Sequence, residues 1–179
     1  MESSSDPTGS GVDDYLIRRA TPADAAALVD LGRAVSSEPE GWLITADDWR
    51  NVGEERRYLR ATRRSPHAAV FVAEDERGIV GRLSVARDSH PASPHVADLG
   101  LMVAAGQRRR GIGRALLERA VEWAREVGVM KLELHVFPHN EPAIRLYEQF
   151  GFEREGLRRA HYRRAGELVD AILMAYRVE

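Results

Sequence analysis

The chain has 179 residues, 44% hydrophobic and 30% charged, with a formal net charge of -2 and no cysteine. This is the composition of one ordinary globular domain; the near-neutral charge gives no electrostatic case for a nucleic acid or an anionic membrane as partner, and disulfides, thiolate metal sites and a cysteine nucleophile are excluded. No apolar run reaches membrane-spanning length and "MESSSDPTGSGVDD" lacks a signal peptide's apolar centre, so residues 1–14 are expected to be a disordered tail before a cytoplasmic domain over residues 15–179.

In chain order, "YLIRRA" (Tyr15–Ala20) reads as a first strand. Thr21-Pro22-Ala23-Asp24 is a helix start, with a Thr cap, Pro at the first helical position and an acid in the first turn; that helix is expected to turn Ala27, Leu28 and Leu31 inward. "SSEPEGWLI" (Ser36–Ile44) breaks it, and Thr45-Ala46-Asp47-Asp48 opens a second helix to about Thr62. "AAVFVAED" and "IVGRLSVAR" form a hairpin about Glu76-Arg77-Gly78, and "HVADLGLMV" is a further strand. A glycine-rich loop leads into a helix with Leu116, Leu117, Ala120, Val121 and Ala124 on one face, ended by Gly128. "KLELHVF" is a strand. Ala143, Leu146, Tyr147 and Phe150 have i, i+3, i+4, i+7 spacing, a helix ended by Gly151, and "FEREGLRRAHY" and "ELVDAILMAY" are a closing hairpin. The order β-α-α-β-β-β-α-β-α-β-β predicts a single mixed α/β domain.

Gln107–Ala120, "QRRRGIGRALLERA", places three arginines and Gly-Ile-Gly at the mouth of a helix. Unpaired N–H groups and the dipole make such an end a phosphate site. A nucleotide P-loop requires Lys and Ser/Thr where Ile112 and Gly113 stand. A dinucleotide fingerprint requires glycine where Leu116 stands, in the first βα unit. Both readings fail.

Arg108-Arg109-Arg110-Gly111-Ile112-Gly113 resembles the [QR]-x-x-G-x-[GA] pyrophosphate loop of the GNAT acyltransferases. Asn140, Ala143, Leu146-Tyr147-Glu148 and Gly151-Phe152 match the family's second signature, N-x-x-A-x-x-[LF]-Y-x-x-x-G-F, and the element order agrees from Tyr15 to Tyr176. The resemblance implies a central, mostly antiparallel sheet with a splayed parallel pair, about four helices, and acetyl-CoA as co-substrate. It further implies that Met102 and Val103 offer backbone groups to the pantetheine arm, that the backbone from Arg108 to Arg114 holds the pyrophosphate, and that Arg108, Arg109 and Arg110 add charge there. Asn140, with Ala143 beside it, is expected on the pantetheine side, and Tyr147 as the acid that protonates the leaving thiolate.

The attacking amine must lose a proton. Asp98, on the strand before the loop, is the candidate base; Glu133 and His135, on one face of the next strand, are reserves, and solvent is a further acceptor. His67, His90, His95, His139 and His161 have no metal-ligand spacing, so no metal is expected. The closing "GFEREGLRRAHYRRAGELVDAILM" resembles a GNAT subgroup that includes bacterial L-amino-acid N-acetyltransferases, which implies a small primary amine as acceptor. Arg158, Arg159, Arg163 and Arg164 suit either a carboxylate or a charged edge that discourages aggregation. The alternatives are acetylation of a protein N-terminus or lysine, which needs an open groove beside Ser36–Asp48, and a non-catalytic acyl-CoA sensor. Polyamine acetylation is kept open by Glu38, Glu40, Asp47 and Asp48. A homodimer through the terminal hairpin is permitted.

Overall fold

The computed structural model describes residues 14–44 and 49–179. Seven strands form one sheet in the order β1-β2-β3-β4-β5-β7-β6: β1 (Leu16–Arg19), β2 (Ala68–Asp75), β3 (Gly78–Arg87), β4 (Val96–Val103), β5 (Lys131–Val136), β6 (Glu153–Arg164) and β7 (Glu167–Arg177). Every neighbouring pair is antiparallel except β4 and β5. The expected mixed α/β fold is observed, with four helices: α1 (Ala25–Ser36), α2 (Val52–Arg64), α3 (Ile112–Val127) and α4 (Glu141–Phe150).

Strand alternation gives the sheet two apolar faces. On one, Phe71, Leu83, Val85, Leu99 and Leu132 pack with Leu116, Leu117, Ala120, Val121 and Ala124 of α3, and with Ile144 and Tyr147 of α4. On the other, Val70 and Val72 meet Leu28 of α1 and Leu59 of α2, and Met102 meets Leu31 and Val35. The α3 stripe is the one read from sequence. In α1, Leu28 and Leu31 are buried as expected, but Ala27 faces solvent. A 3-10 turn over Pro22–Asp24 precedes α1; with the α-helix beginning at Ala25, the inward stripe is Ala25, Leu28, Val29, Leu31, Gly32 and Val35, and Ala27 lies off it.

The start expected for the second helix at Thr45–Asp48 lies outside the described residues, as do residues 1–13 of the expected tail. The helix itself is capped by Asn51, whose Oδ1 accepts from Glu54 N–H at 3.0 Å while Glu54 returns a bond to Asn51 N–H, a reciprocal capping box. Glu55, Leu59 and Thr62 form its buried side.

The feature that positions the site is the β4–β5 pair. It is hydrogen-bonded at Val96–Lys131, Ala97–Leu132 and Asp98–Glu133 only. Beyond Asp98, β4 stays on β3 as far as Val103–Gly81, and β5 stays on β7 as far as Val136–Ile172. The two parallel strands therefore part, and from Leu99 to Val103 the β5-side edge of β4 has no strand partner among the described residues.

Candidate active site

The gap between β4 and β5 opens into a cleft of about 1020 Å³. Its walls carry the second half of β4, the Arg108–Arg114 loop, Asn140, Tyr147, His135 and Tyr162, and at the far end Trp42, Leu43, Arg82 and Ser84. Asp98, Met102, Val103, Arg108, Arg109, Gly111, Ile112, Gly113, Arg114, Asn140, Ala143 and Tyr147 all line this one cleft.

The loop makes an anion cradle from backbone. Arg109 (φ 64°) and Gly111 (φ 81°) are both left-handed, an alternation that turns successive N–H groups inward. Gly111 caps α3, and the first helical bond is Ala115 N–H to the Gly111 carbonyl at 3.0 Å, so the N–H groups of Ile112, Gly113 and Arg114 have no acceptor within the helix. A Cβ on Gly113 would sit 2.8 Å from Leu146 Cδ2; glycine there lets α3 and α4 close on the groove.

The three arginines differ. Arg108 donates to both oxygens of Glu38 (2.7 and 2.6 Å) and to the Val103 carbonyl (3.1 Å). Arg110 leans off the cleft, with Asp75 at 3.1 Å and Gln107 as partners. Arg109 is exposed and has no ion-pair partner among the described residues. Of the charge expected from this run, Arg109's is uncommitted, while the Arg108 and Arg110 guanidinium groups are held by carboxylates of the protein.

Tyr147, on α4, is 6% exposed, with its ring 5.6 Å from Phe152. Burial raises its phenol well above the ordinary value, which keeps the hydroxyl protonated as a donor. Asn140 caps α4, its Oδ1 accepting from Ala143 N–H at 3.3 Å, so Ala143 acts through its backbone N–H in the cap. Asp98 stands at the point where the strands part. Solvent reaches it, yet the cleft walls strip part of its hydration, and with the nearby charges of Glu133 and Asp88 they raise its pKa against the opposing Arg158. A carboxylate so raised is a better proton acceptor. Of the reserves, Glu133 is bound to Lys131 at 2.7 Å. His135 is hydrogen-bonded through Nδ1 to the Tyr162 hydroxyl at 2.5 Å, and burial, then Arg158 and His161, lower its pKa and hold it neutral.

Sequence reading missed a group at the far end. Arg82 of β3 is 4% exposed and Glu55 of α2 is 0% exposed, with Nη1 and Oε1 3.1 Å apart. Arg50 also binds Glu55, at 3.1 Å. Burial lowers the Arg82 pKa and Glu55 opposes it. The available signal was a charge at an inward position on each element: Glu55 shares a helical face with Leu59 and Thr62, and Arg82 alternates with Leu83 in an apolar strand.

A parted parallel strand pair whose cleft is lined both by a backbone anion cradle and by a buried tyrosine has the form of an acyltransferase domain. The chain belongs to the acetyltransferase (GNAT) family, whose model matches residues 37–152. It is similar to the L-amino acid N-acetyltransferase AaaT of Escherichia coli, 32% identical over 90% of this chain and 97% of that protein. It is also similar to the N-alpha-acetyltransferase RimI of Mycobacterium tuberculosis, 33% identical over 86% of this chain and 91% of that one. A GNAT-family acetyltransferase structure from Streptococcus pneumoniae superposes with a TM-score of 0.83 at 28% identity, covering 92% of this chain and 99% of that one. The protein is an acetyl-CoA-dependent N-acetyltransferase.

Proposed function

We propose that the acceptor is the primary amine of a small molecule, with an L-amino acid as the best candidate, attacked directly on acetyl-CoA in a ternary complex. The observation that carries this is the tethering of the loop beside the acceptor end. Residues 37–44 are tied down three times: Glu38 to Arg108, the Gly41 carbonyl to Arg164 of the terminal hairpin, and the Glu40 carbonyl to His139 at 3.0 Å. Trp42 is stacked on His139 beneath these ties. A strapped loop suits a compact acceptor better than an extended peptide. The similarity to AaaT supports the same reading, while the similarity to RimI keeps a protein N-terminus as the second one.

In this mechanism the N–H groups of Arg108–Arg114 hold the diphosphate, with Arg109 adding charge, and the β5-facing edge of β4 near Met102 and Val103 receives the pantetheine arm as an added strand would be received. Acetyl-CoA supplies the activated acyl group. Asp98 accepts the ammonium proton of the acceptor. A β4 N–H near Val103 donates to the thioester oxygen as negative charge builds there, and Tyr147 donates its proton to the departing sulfur. A domain with this role is at home in the cytoplasm.

The test is thiol release from acetyl-CoA with free amino acids, polyamines and short peptides. Amino acids are expected to turn over fastest; a preference for peptides would reverse the assignment. Tyr147→Phe should lower kcat about 10²–10⁴-fold with acetyl-CoA affinity nearly unchanged, and normal turnover would remove Tyr147 as the acid.

A further inference from the structure

The ion pair with Glu55 does not account for the whole of Arg82. Glu55 is already partnered by Arg50, so the three side chains carry one net positive charge. The Arg82 guanidinium lies 5.2 and 5.8 Å from the ring centroids of Trp49 and Tyr58; its Nη1 faces Glu55 Oε1 at 3.1 Å, while its Nε, like Trp49 Nε1, has no hydrogen-bond acceptor among the described residues. Buried N–H groups left in this state are costly, and Arg82 lines the cleft.

The sheet register sets what lies opposite. Arg82 pairs with Met102, Ser84 with Gly100 and Ala86 with Asp98. Side chains on directly opposite residues share a face, so Arg82, Ser84, Gly100 and Asp98 all look toward α1 and α2. Arg82 and Asp98 are four residues apart along the strands, about 13 Å between backbones. The floor between them is made of the small residues Ser84 and Gly100, where a Cβ on Gly100 would only reach 3.5 Å from Ser84 Oγ. A buried cation stands at one end of a small trough and a carboxylate at the other, with Val35, Leu43 and Ile44 as apolar wall.

We infer that Arg82 receives the carboxylate of the acceptor, so that this trough binds an α-amino acid as its zwitterion, carboxylate on Arg82 and ammonium directed along the trough to Asp98 through bridging water, with an apolar side chain against the wall. The inference rests on the small-amine reading above and deepens it. Recognition of this kind is charge-assisted, and it favours an acid over its amide.

The experiment compares L-leucine, L-leucinamide and 3-methylbutylamine as acceptors, by thiol release, for the wild-type protein and Arg82→Met. The wild-type kcat/KM is expected to be about 10- to 100-fold higher for leucine than for leucinamide. Arg82→Met should remove that ratio through the KM for leucine, leaving leucinamide turnover and acetyl-CoA affinity within about twofold. The Glu55→Met/Arg82→Met variant leaves no buried charge unpaired, since Arg50 is 45% exposed, so it guards against misfolding of the single variant, and it must show the same collapse. Wild-type preference for leucine that survives in the double variant overturns the Arg82 assignment alone. Equal losses on leucine and leucinamide reduce Arg82 to a packing residue. Wild-type turnover of 3-methylbutylamine or leucinamide above that of leucine overturns the carboxylate site while keeping a small amine as acceptor; turnover of peptides only overturns the small-amine reading itself.

Discussion

Removing Arg108 and Glu38 singly and together would measure whether the pair is a strut between the cofactor loop and the acceptor loop. The two residues are 70 apart in sequence and meet through two bonds of 2.6 and 2.7 Å. Charge-assisted bonds of this geometry contribute about 1.5–3 kcal/mol when buried. The side chains are 34% and 15% exposed, and solvent screening reduces that value; a coupling of about 1–2 kcal/mol is expected, a factor of about 5–30 in an equilibrium constant. Urea unfolding of wild type, Arg108→Ala, Glu38→Ala and the double variant gives the coupling directly. Calorimetric titration with acetyl-CoA on the same proteins, with Arg109→Ala alongside, separates the two arginines. Arg109→Ala should weaken acetyl-CoA binding in a salt-dependent way and leave stability nearly unchanged, whereas Arg108→Ala should chiefly cost stability and raise the acceptor KM. Zero coupling, together with an affinity loss for Arg108→Ala matching that for Arg109→Ala, would refute the reasoning and show Arg108 leaving Glu38 for a phosphate.

Two further predictions concern the loop and the base. Gly111→Ala puts a side chain at φ 81°, costing about 1–2 kcal/mol in thermal melts and weakening acetyl-CoA binding; unchanged affinity would mean the cradle tolerates a shifted backbone. Asp98→Asn should lower kcat about 10²–10⁴-fold and abolish the acidic limb of the kcat/KM profile, which in the wild type should lie above the ordinary carboxylate range because the Asp98 pKa is raised. The stability effect has the opposite sign. A carboxyl whose folded-state pKa lies above its unfolded value favours folding below the unfolded pKa, near 3.9, and loses that contribution as pH rises through the folded one. Asp98→Asn should therefore raise the Tm at neutral pH, with the gain fading on acidification; a lower Tm at pH 7 would mean that Asp98 anchors the strand opening.

The placement of the candidate cofactor-side residues was legible in the sequence because its signals are local. Gly111 before a helix, Asn140 as a cap and Tyr147 on an apolar stripe are each set by their neighbours within a turn or two, and all lie where local rules put them. The fates of the arginines were not legible: Arg108, Arg109 and Arg110 are chemically identical in the string, and what divides them is Glu38 and Asp75, brought in by tertiary packing. Arg82 and Glu55 escaped for the same reason, since a charge on an inward position is interpretable only once its partner is known. Ala27 was misplaced because a 3-10 turn shifted the phase of α1 by part of a turn. The parting of β4 and β5 follows from register, which no single strand encodes.

On the proposed binding mode, that parting also links folding to binding of the acetyl donor. The sheet stops pairing at Asp98 and Glu133; if acetyl-CoA lies along the edge of β4 as proposed, the folded population depends on its concentration. At a hundredfold excess over Kd the stabilisation is about 2.7 kcal/mol, equivalent to a Tm rise of about 5–11 °C for a chain of this size. On that proposed binding mode, the protein without its acetyl donor would be the less stable form and the more open to proteolysis.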